Sequence, residues 1–371
     1  MIQALVERAR DFQETIRQAK RSLGPVDFEW YPYDTLSALG HLNHLLTGPN
    51  RALLSAEGGG RRIADLGCGD GELAFFFASL GYQVVAVDHP LYNHNGMRGA
   101  RALKSALGSQ VELAEIDLDR PFRLPHESYD VAFFLGILYH LRSPFPVLEE
   151  LAKRASWCFV STRIARCFPG GKAMPAGAPL AYLVDETELN NDESNYFIFS
   201  EPGLRTLLKR TYWEVCDFVS TGHTARSEPV RLDRDERAFC LARSRYDRLS
   251  NLELLEGWHA SEGTGWRWTQ REFRARVKLG RDRRARVLVM QLFLPDELLE
   301  RFGVVTLEAA VNGRPLAPAR FERAGPQTLV RPLGSPSEPE LELDFRTSGV
   351  LEPDARDGRQ RGIVVVSIMV E

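Results

Sequence analysis

Paired cysteines are missing from this sequence. Its five cysteines, Cys68, Cys158, Cys167, Cys216 and Cys240, are scattered and form no CxxC pair. That excludes a disulfide framework and a thiolate zinc site, and it fits a reducing cytoplasm. No apolar run approaches membrane-spanning length, so no membrane insertion is expected. The first twenty residues carry charges throughout and lack the apolar core of a signal peptide. A strong excess of either charge is missing too. The 47 Lys and Arg against 50 Asp and Glu leave a formal net charge of -3. This argues against a generic nucleic-acid coat or membrane-surface binder and leaves only local basic patches. What remains is the composition of an ordinary globular chain. Its 371 residues exceed one typical core, so two domains are expected.

Residues 1–55 read as an N-terminal helical cap. Ile2, Leu5, Val6, Ala9, Phe12 and Ile16 fall near one helical face, and LSALGHLNHLL gives a second helical stretch. From 56 to 248 short apolar runs alternate with helical segments. The pattern predicts an α/β domain, a mostly parallel sheet with helices on both faces. EVCDFVS and ERAFCLARS follow one another without a helix, which would put an antiparallel strand at the end of that sheet. From 252 to 371 strands and turns take over, apart from a helical LPDELLERF. FRARVKLGRDRRARVLVMQLFL reads as one hairpin, and Asn312-Gly313 as the turn of another. This second domain is expected to be an all-β sandwich, with LGSPSEPE as a loop.

The segment IADLGCGDG places Gly67, Gly69 and Gly71 between a strand and a helix. Glycines there allow a tight turn and a close approach of ligand to backbone. Glu72 breaks the G-x-G-x-x-G dinucleotide pattern, and the Lys and Ser/Thr of a phosphate loop are absent. QVVAVD ends in Asp88, where an acid can accept both hydroxyls of a ribose. Together these motifs resemble the first two of class I S-adenosylmethionine (SAM) dependent methyltransferases. The resemblance implies that Asp65 and the backbone of Gly67, Cys68 and Gly69 surround the methionine part of SAM, and that Asp88 takes the ribose. Asp117 of AEIDLD would meet the adenine amino group, with Asp119 its competitor two residues on. His89 or Leu118 would cover the adenine faces.

LGILYHLRSPF, Leu135 to Phe145, is then the exit of the fourth strand. Ligands in such folds sit outside the carboxyl ends of the strands. Leu135 and Gly136 should line the cofactor, with Tyr139 and His140 at the rim facing the acceptor. The other reading is that His140 caps the next helix or packs in the core. LGILYHLRSPF, with NYFIF downstream and WYPYDTL upstream, is similar to the bacterial methyltransferases that build the carboxymethoxy group on the wobble uridine of transfer RNA. That likeness covers about the first two-thirds of the chain. Those enzymes use a carboxylated SAM, holding its extra carboxylate with a basic residue and aromatics. FEWYPYDTL supplies Trp30, Tyr31 and Tyr33 but no Lys or Arg, and a carboxylate without a cation is poorly compensated. Ordinary SAM is therefore expected. The acceptor side should be formed by those aromatics with Arg142, Asn191, Asn195 and Tyr196; for the asparagines the alternative is turn chemistry.

A sulfonium methyl is already activated, so the protein's tasks are positioning and, for a hydroxyl acceptor, removal of a proton. His140 suits the second. The expected function is O-methylation of a sugar, glycan or related polar small molecule. The alternatives are a transfer-RNA wobble-uridine methyltransferase and a SAM-binding regulatory or scaffold protein without turnover. No metal is expected, because His41 and His44 lack a third ligand and read as a helix face. In the second domain, GWHASEGTGWRWT reads either as a sandwich edge or as a stacking surface for sugars or bases. Arg274, Arg276 and Lys278 share one face, extended by Arg283, Arg284 and Arg286. They read as a solvated sheet face or as a patch for an anionic partner, RNA included.

Overall fold

The computed structural model describes residues 2–55, 57–246, 252–262, 265–278, 287–334, 338 and 340–370. The chain divides into two compact units, Met1–Ser244 and Arg245–Glu371. In the first, α1 (Ile2–Ser22) and α2 (Ala38–Leu45) lead into β1 (Arg62–Leu66), α3 (Glu72–Ser79), β2 (Gln83–Asp88), α4 (Arg98–Leu107), β3 (Glu112–Glu115) and β4 (Tyr129–Leu135). Then follow α5 (Pro144–Arg154), β5 (Ala155–Ile164), the short pair β6 (Ala181–Leu183) and β7 (Phe197–Phe199), α6 (Glu201–Arg210), β8 (Trp213–Gly222) and β9 (Glu236–Ser244). Strands β3-β2-β1-β4-β5 are parallel in that order. β9 runs antiparallel between β5 and β8, as the paired final segments lead one to expect. Neighbours β1 and β4 mark the point where the strand order reverses, the place such sheets use for ligands.

The helices form where the apolar period suits burial against this sheet. α3 is almost wholly apolar, ELAFFFAS, and Leu73 to Phe77 are all buried. Phe77 stacks on Phe133 of β4, which stacks on Phe159 of β5, at centroid distances of 5.0 and 5.4 Å. Leu5, Ala9 and Ile16 of α1 and Leu39, Leu42 and Leu45 of α2 join the same core, so the N-terminal helices are part of this unit's packing. His41 stacks on Phe239 at 4.5 Å. The long stretch after β5 contains β6 and β7, an antiparallel pair whose Phe199 meets Ile164 at the end of β5.

The second unit is a sandwich. One sheet has the order β10 (Glu253–Leu254), β12 (Glu272–Lys278), β18 (Glu340–Thr347), β14 (Val305–Val311), β15 (Arg314–Pro315), with β16 (Ala319–Phe321) also on β14. The other has the order β11 (Arg267–Trp268), β19 (Val364–Val370), β13 (Val287–Leu294), β17 (Gly325–Pro332). Phe273, Leu307, Leu343 and Phe345 from one sheet and Leu288, Met290, Val365 and Ile368 from the other fill one core. A short helix, α7 (Asp296–Phe302), joins β13 to β14. The Asn312-Gly313 turn stands as expected, both residues at positive φ and β14 pairing with β15. Trp258 also behaves as a packing residue: it meets Phe273 edge-on and donates its Nε1–H to the Arg274 carbonyl.

The hairpin expected from FRARVKLGRDRRARVLVMQLFL does not form. β12 pairs with β10 and β18, whereas β13 lies in the other sheet. The reason is charge and pattern together. Arg274, Arg276 and Lys278 stand directly opposite Asp344, Glu342 and Glu340 of β18, with Arg274 Nε 2.6 Å from Asp344 and Arg276 2.9 Å from Glu342. The almost continuously apolar β13 takes a central place that is buried on both faces. The basic face is thereby matched by acids; Arg283, Arg284 and Arg286 lie outside the described residues.

The stack at the centre of the first unit gives a test. Phe133 is fully buried between two rings, so Phe133→Ala should cost about 3–5 kcal/mol of stability, read from the urea midpoint.

Candidate functional site

The glycine loop between β1 and α3 is built so that side chains would not fit. Gly67, Gly69 and Gly71 all have positive φ, 73°, 58° and 81°. A Cβ on Gly67 would lie 2.0 Å from Ile137 Cγ2, and one on Gly69 3.0 Å from the Tyr31 ring. Ile137 and Tyr31 thus close over the bare backbone. Asp70 locks the loop. Its buried Oδ2 accepts from the Tyr31 N–H at 2.7 Å, and its Oδ1 from Asn95 Nδ2 at 2.7 Å.

Asp65, at the end of β1, is 4% exposed, and its Oδ2 has no hydrogen-bond partner among the described residues. Burial first, and the neighbouring Asp88 second, push its carboxyl up to about 7. Asp88 accepts at Oδ2 from Gly69 N–H and from Asn93 Nδ2, both at 2.8 Å, and at Oδ1 from His89 N–H. Burial raises Asp88 above the usual carboxylate value despite these bonds. His89 Nδ1 accepts from the backbone of Leu91 and Tyr92, which leaves Nε2 to face Asp117 at 3.6 Å. The two competing acids are separated by geometry. Asp119 accepts from the backbone N–H groups of Arg142 and Ser143 just before α5, whereas Asp117 stands beside His89. Leu118 is half-buried between them.

At the exit of β4, Leu135 and Gly136 are half-buried, and Leu138–His140 forms a single 3₁₀ turn. Gly136 has φ 77°, and a Cβ there would lie 3.5 Å from an Arg237 nitrogen and 3.7 Å from the Tyr139 hydroxyl. Tyr139 and His140 rings are 4.3 Å apart, and the Tyr139 carbonyl accepts from Tyr196 N–H at 2.7 Å. Burial pulls the His140 imidazole below its ordinary value, so it is neutral at pH 7. Arg142 is exposed and donates from Nε to the Tyr196 hydroxyl at 2.7 Å.

Other expected acceptor residues go elsewhere. Trp30 packs against the core with Phe28 at 4.9 Å and Lys20 over its ring at 4.9 Å, which makes it a packing residue. Asn195 is buried and spends its amide on the Asp192 carbonyl, and Asn191 is exposed at positive φ; both follow turn chemistry. Tyr33 is exposed, edge-on to Tyr31 at 5.4 Å.

One finding overturns a premise of the sequence reading. A cation does stand beside the upstream aromatics. Arg237, from β9, lies over the Tyr139 ring at 5.8 Å and acts electrostatically on Tyr31. It makes no ion pair among the described residues. The upstream segment alone could not reveal it, because β9 reaches the site only through its place beside β5. The signal in the sequence was Glu236-Arg237, two adjacent charges directly before the apolar run Ala238 to Ala242 of the strand. Asp70, Asn93 and Asn95 were missed as well, since Asn and Asp in a loop read first as turn formers.

A family model described as "Methyltransferase domain" matches residues 63–155. A tRNA U34 carboxymethyltransferase of Marinobacter nauticus is 29% identical over 184 residues, 48% of this chain and 51% of that protein. A ubiquinone biosynthesis O-methyltransferase of Paraburkholderia phymatum is 35% identical over 107 residues, 28% of this chain and 44% of that protein. The chain spans about half the length of the curated relatives it matches. Among solved structures, the N-terminal domain of EvdMO1 with SAH and D-fucose aligns at 17% identity and TM-score 0.40, over 62% of this chain and 96% of that one. Residues 63–155 form a methyltransferase domain. The residues present fit a SAM cofactor: a glycine cradle with no room for side chains and a buried Asp65 oxygen without a partner among the described residues.

Asp65 makes the stability of the protein depend on pH. Its folded-state value lies above that of an unfolded aspartate, about 3.9. The folded chain therefore binds more protons between the two values, and stability falls as pH rises from about 4 to about 7. Asp65→Asn should be near neutral at pH 4 and stabilising at pH 7.5, checked by urea denaturation at both.

Proposed function

We propose that this chain transfers the methyl group of SAM to a hydroxyl of a sugar or related polar small molecule. The observation that carries the reading is a half-buried imidazole, His140, in the turn at the end of β4, held below its ordinary value by burial. Asp65 would hold the amino group, with the backbone of Gly67, Cys68 and Gly69 around the methionine part. Asp88 would take the ribose, Asp117 the adenine amino group, and His89 and Leu118 the adenine faces, with Leu135 and Gly136 beside the sulfur. When bound, SAM supplies an electrophilic methyl group. The remaining work is positioning and proton removal. Tyr31, Tyr139, Arg142 and Tyr196 orient the acceptor, and His140 receives its proton. The O-methyltransferase relatives support an oxygen acceptor.

A second reading has one specific observation behind it. Arg237, over the Tyr139 ring and acting electrostatically on Tyr31, is a cation without an ion-pair partner among the described residues, and it would supply the charge that a carboxylated SAM needs. The acceptor would then be the wobble uridine of a transfer RNA, as the name of the Marinobacter relative suggests.

Native mass spectrometry of the protein purified from cells, with extraction of bound nucleosides, separates the readings. SAM or its demethylated product is expected; the carboxylated form would promote the second reading; no nucleoside and no binding of added SAM would sink both. If the carboxylated form is the ligand, Arg237→Gln should weaken it about 10- to 100-fold and leave ordinary SAM unaffected, since a hydrogen bond to a charged group contributes about 1.5–3 kcal/mol. His140→Gln should keep SAM binding and lower turnover by about 10² to 10⁴; unchanged turnover would remove the base, and binding without any product would leave a scaffold.

A further inference from the structure

His140 does not stand alone. Its Nδ1 lies 3.0 Å from the Ser194 carbonyl and 2.9 Å from the Ser194 hydroxyl. That hydroxyl donates to Asp192 Oδ1 at 2.5 Å, and the Ser194 N–H donates to the same oxygen at 3.0 Å. We infer that Ser194 and Asp192 are positioning residues, which fix the His140 ring with Nδ1 as donor and Nε2 as its open acceptor.

The direction of each proton follows from the inventory of donors. A backbone carbonyl only accepts, so Nδ1 must carry the hydrogen it shares with Ser194. A carboxylate only accepts as well, so the Ser194 hydroxyl spends its proton on Asp192 and presents its lone pairs to the ring. Burial raises the Asp192 carboxyl, but the two bonds from Ser194 and the nearby imidazole outweigh it, and the net value lies below the usual carboxylate range. Asp192 therefore stays charged. Nε2 has no partner among the described residues, and it is the nitrogen that remains for a substrate proton.

The role rests on the reading of His140 as the base. As the acceptor oxygen forms its bond to the methyl carbon, the carbon–sulfur bond breaks with its electrons left on sulfur. The hydroxyl proton passes to Nε2, and the imidazolium formed is stabilised through Ser194 by Asp192. The other groups acting on the ring are Asp88, which favours that charge, and Arg237, which opposes it, with Tyr139 packed at 4.3 Å. The short turn Asp192–Asn195 holds the relay in place, with Asn195 N–H on the Asp192 carbonyl.

The test is ¹⁵N NMR of histidine-labelled full-length protein, with the His140 signals assigned by their loss in His140→Gln. The expected spectrum shows a protonated Nδ1 and an unprotonated Nε2. Asp192→Asn removes a charge that favours imidazolium, so the His140 titration midpoint should fall by about half a unit to one unit. Ser194→Ala keeps the carbonyl and the carboxylate but cuts the link between them; it should move the midpoint the same way by less, and it serves if Asp192→Asn does not fold. A proton on Nε2 at neutral pH, or an unmoved midpoint in the variants that fold, overturns the inference. The two readings fail separately. Full methyl transfer by His140→Gln would remove the catalytic proton step described here, whereas an inactive His140→Gln together with a proton on Nε2 in the unmodified protein removes the positioning role alone.

Discussion

The buried carboxylate of Asp70 is the knot on which the site depends. One oxygen holds the backbone of Tyr31 and the other the side chain of Asn95, which also reaches the Glu29 carbonyl. Three segments made far apart in the chain are thereby brought to one place. Helix α4 comes so near that a Cβ on its Gly99 would overlap the Asp70 carboxylate. With Asp70 in position, Tyr31 covers Gly69, the loop keeps its left-handed turns, and Asp88 can reach the Gly69 N–H. Hydrogen bonds to a buried charge are among the stronger polar contacts in a protein, and leaving such a charge with a partner missing is costly.

Much of this was legible in the chain because it is local. Glycines 67, 69 and 71 lie between an apolar run and a helical period, and Asp88 ends the next apolar run; spacing alone placed both at one edge of a sheet. The alternation of β12 was legible too, but not its partner. Its charges pair with acids on β18 that lie about seventy residues away, and sequence proximity pointed instead to β13. The same limit hid Arg237. A search of neighbouring residues for a cation found none, while the sheet order carried one in from β9. The pairing of Asp119 with the start of α5, which leaves Asp117 beside His89 and Arg120, also depended on folding.

The two charged features differ in kind for the same physical reason. On the sandwich, Arg274 and Arg276 each have carboxylates across the sheet and in water, so their charge is spent on strand pairing. Arg237 sits among Tyr31, Tyr139 and the bare edge of Gly136, where solvent screens less and no acid lies within ion-pair distance among the described residues. A cation so placed has more to gain from an anionic ligand than one already matched. Partner and position, more than the number of basic residues, separate a binding group from a structural one.

The order of the sheet also governs how the chain can assemble as it is made. β9 is the last strand of the first unit to be synthesised, yet it lies between two strands made earlier, β5 and β8. Until residue 244 is available, β5 has a largely unpaired edge and β8 has no neighbour in the sheet. A nascent chain must therefore hold those edges open, exposed to chaperones and to wrong partners, and then close the unit in one late insertion. That same insertion delivers Arg237, so the glycine loop can form early but the cation over Tyr139 arrives only at the end.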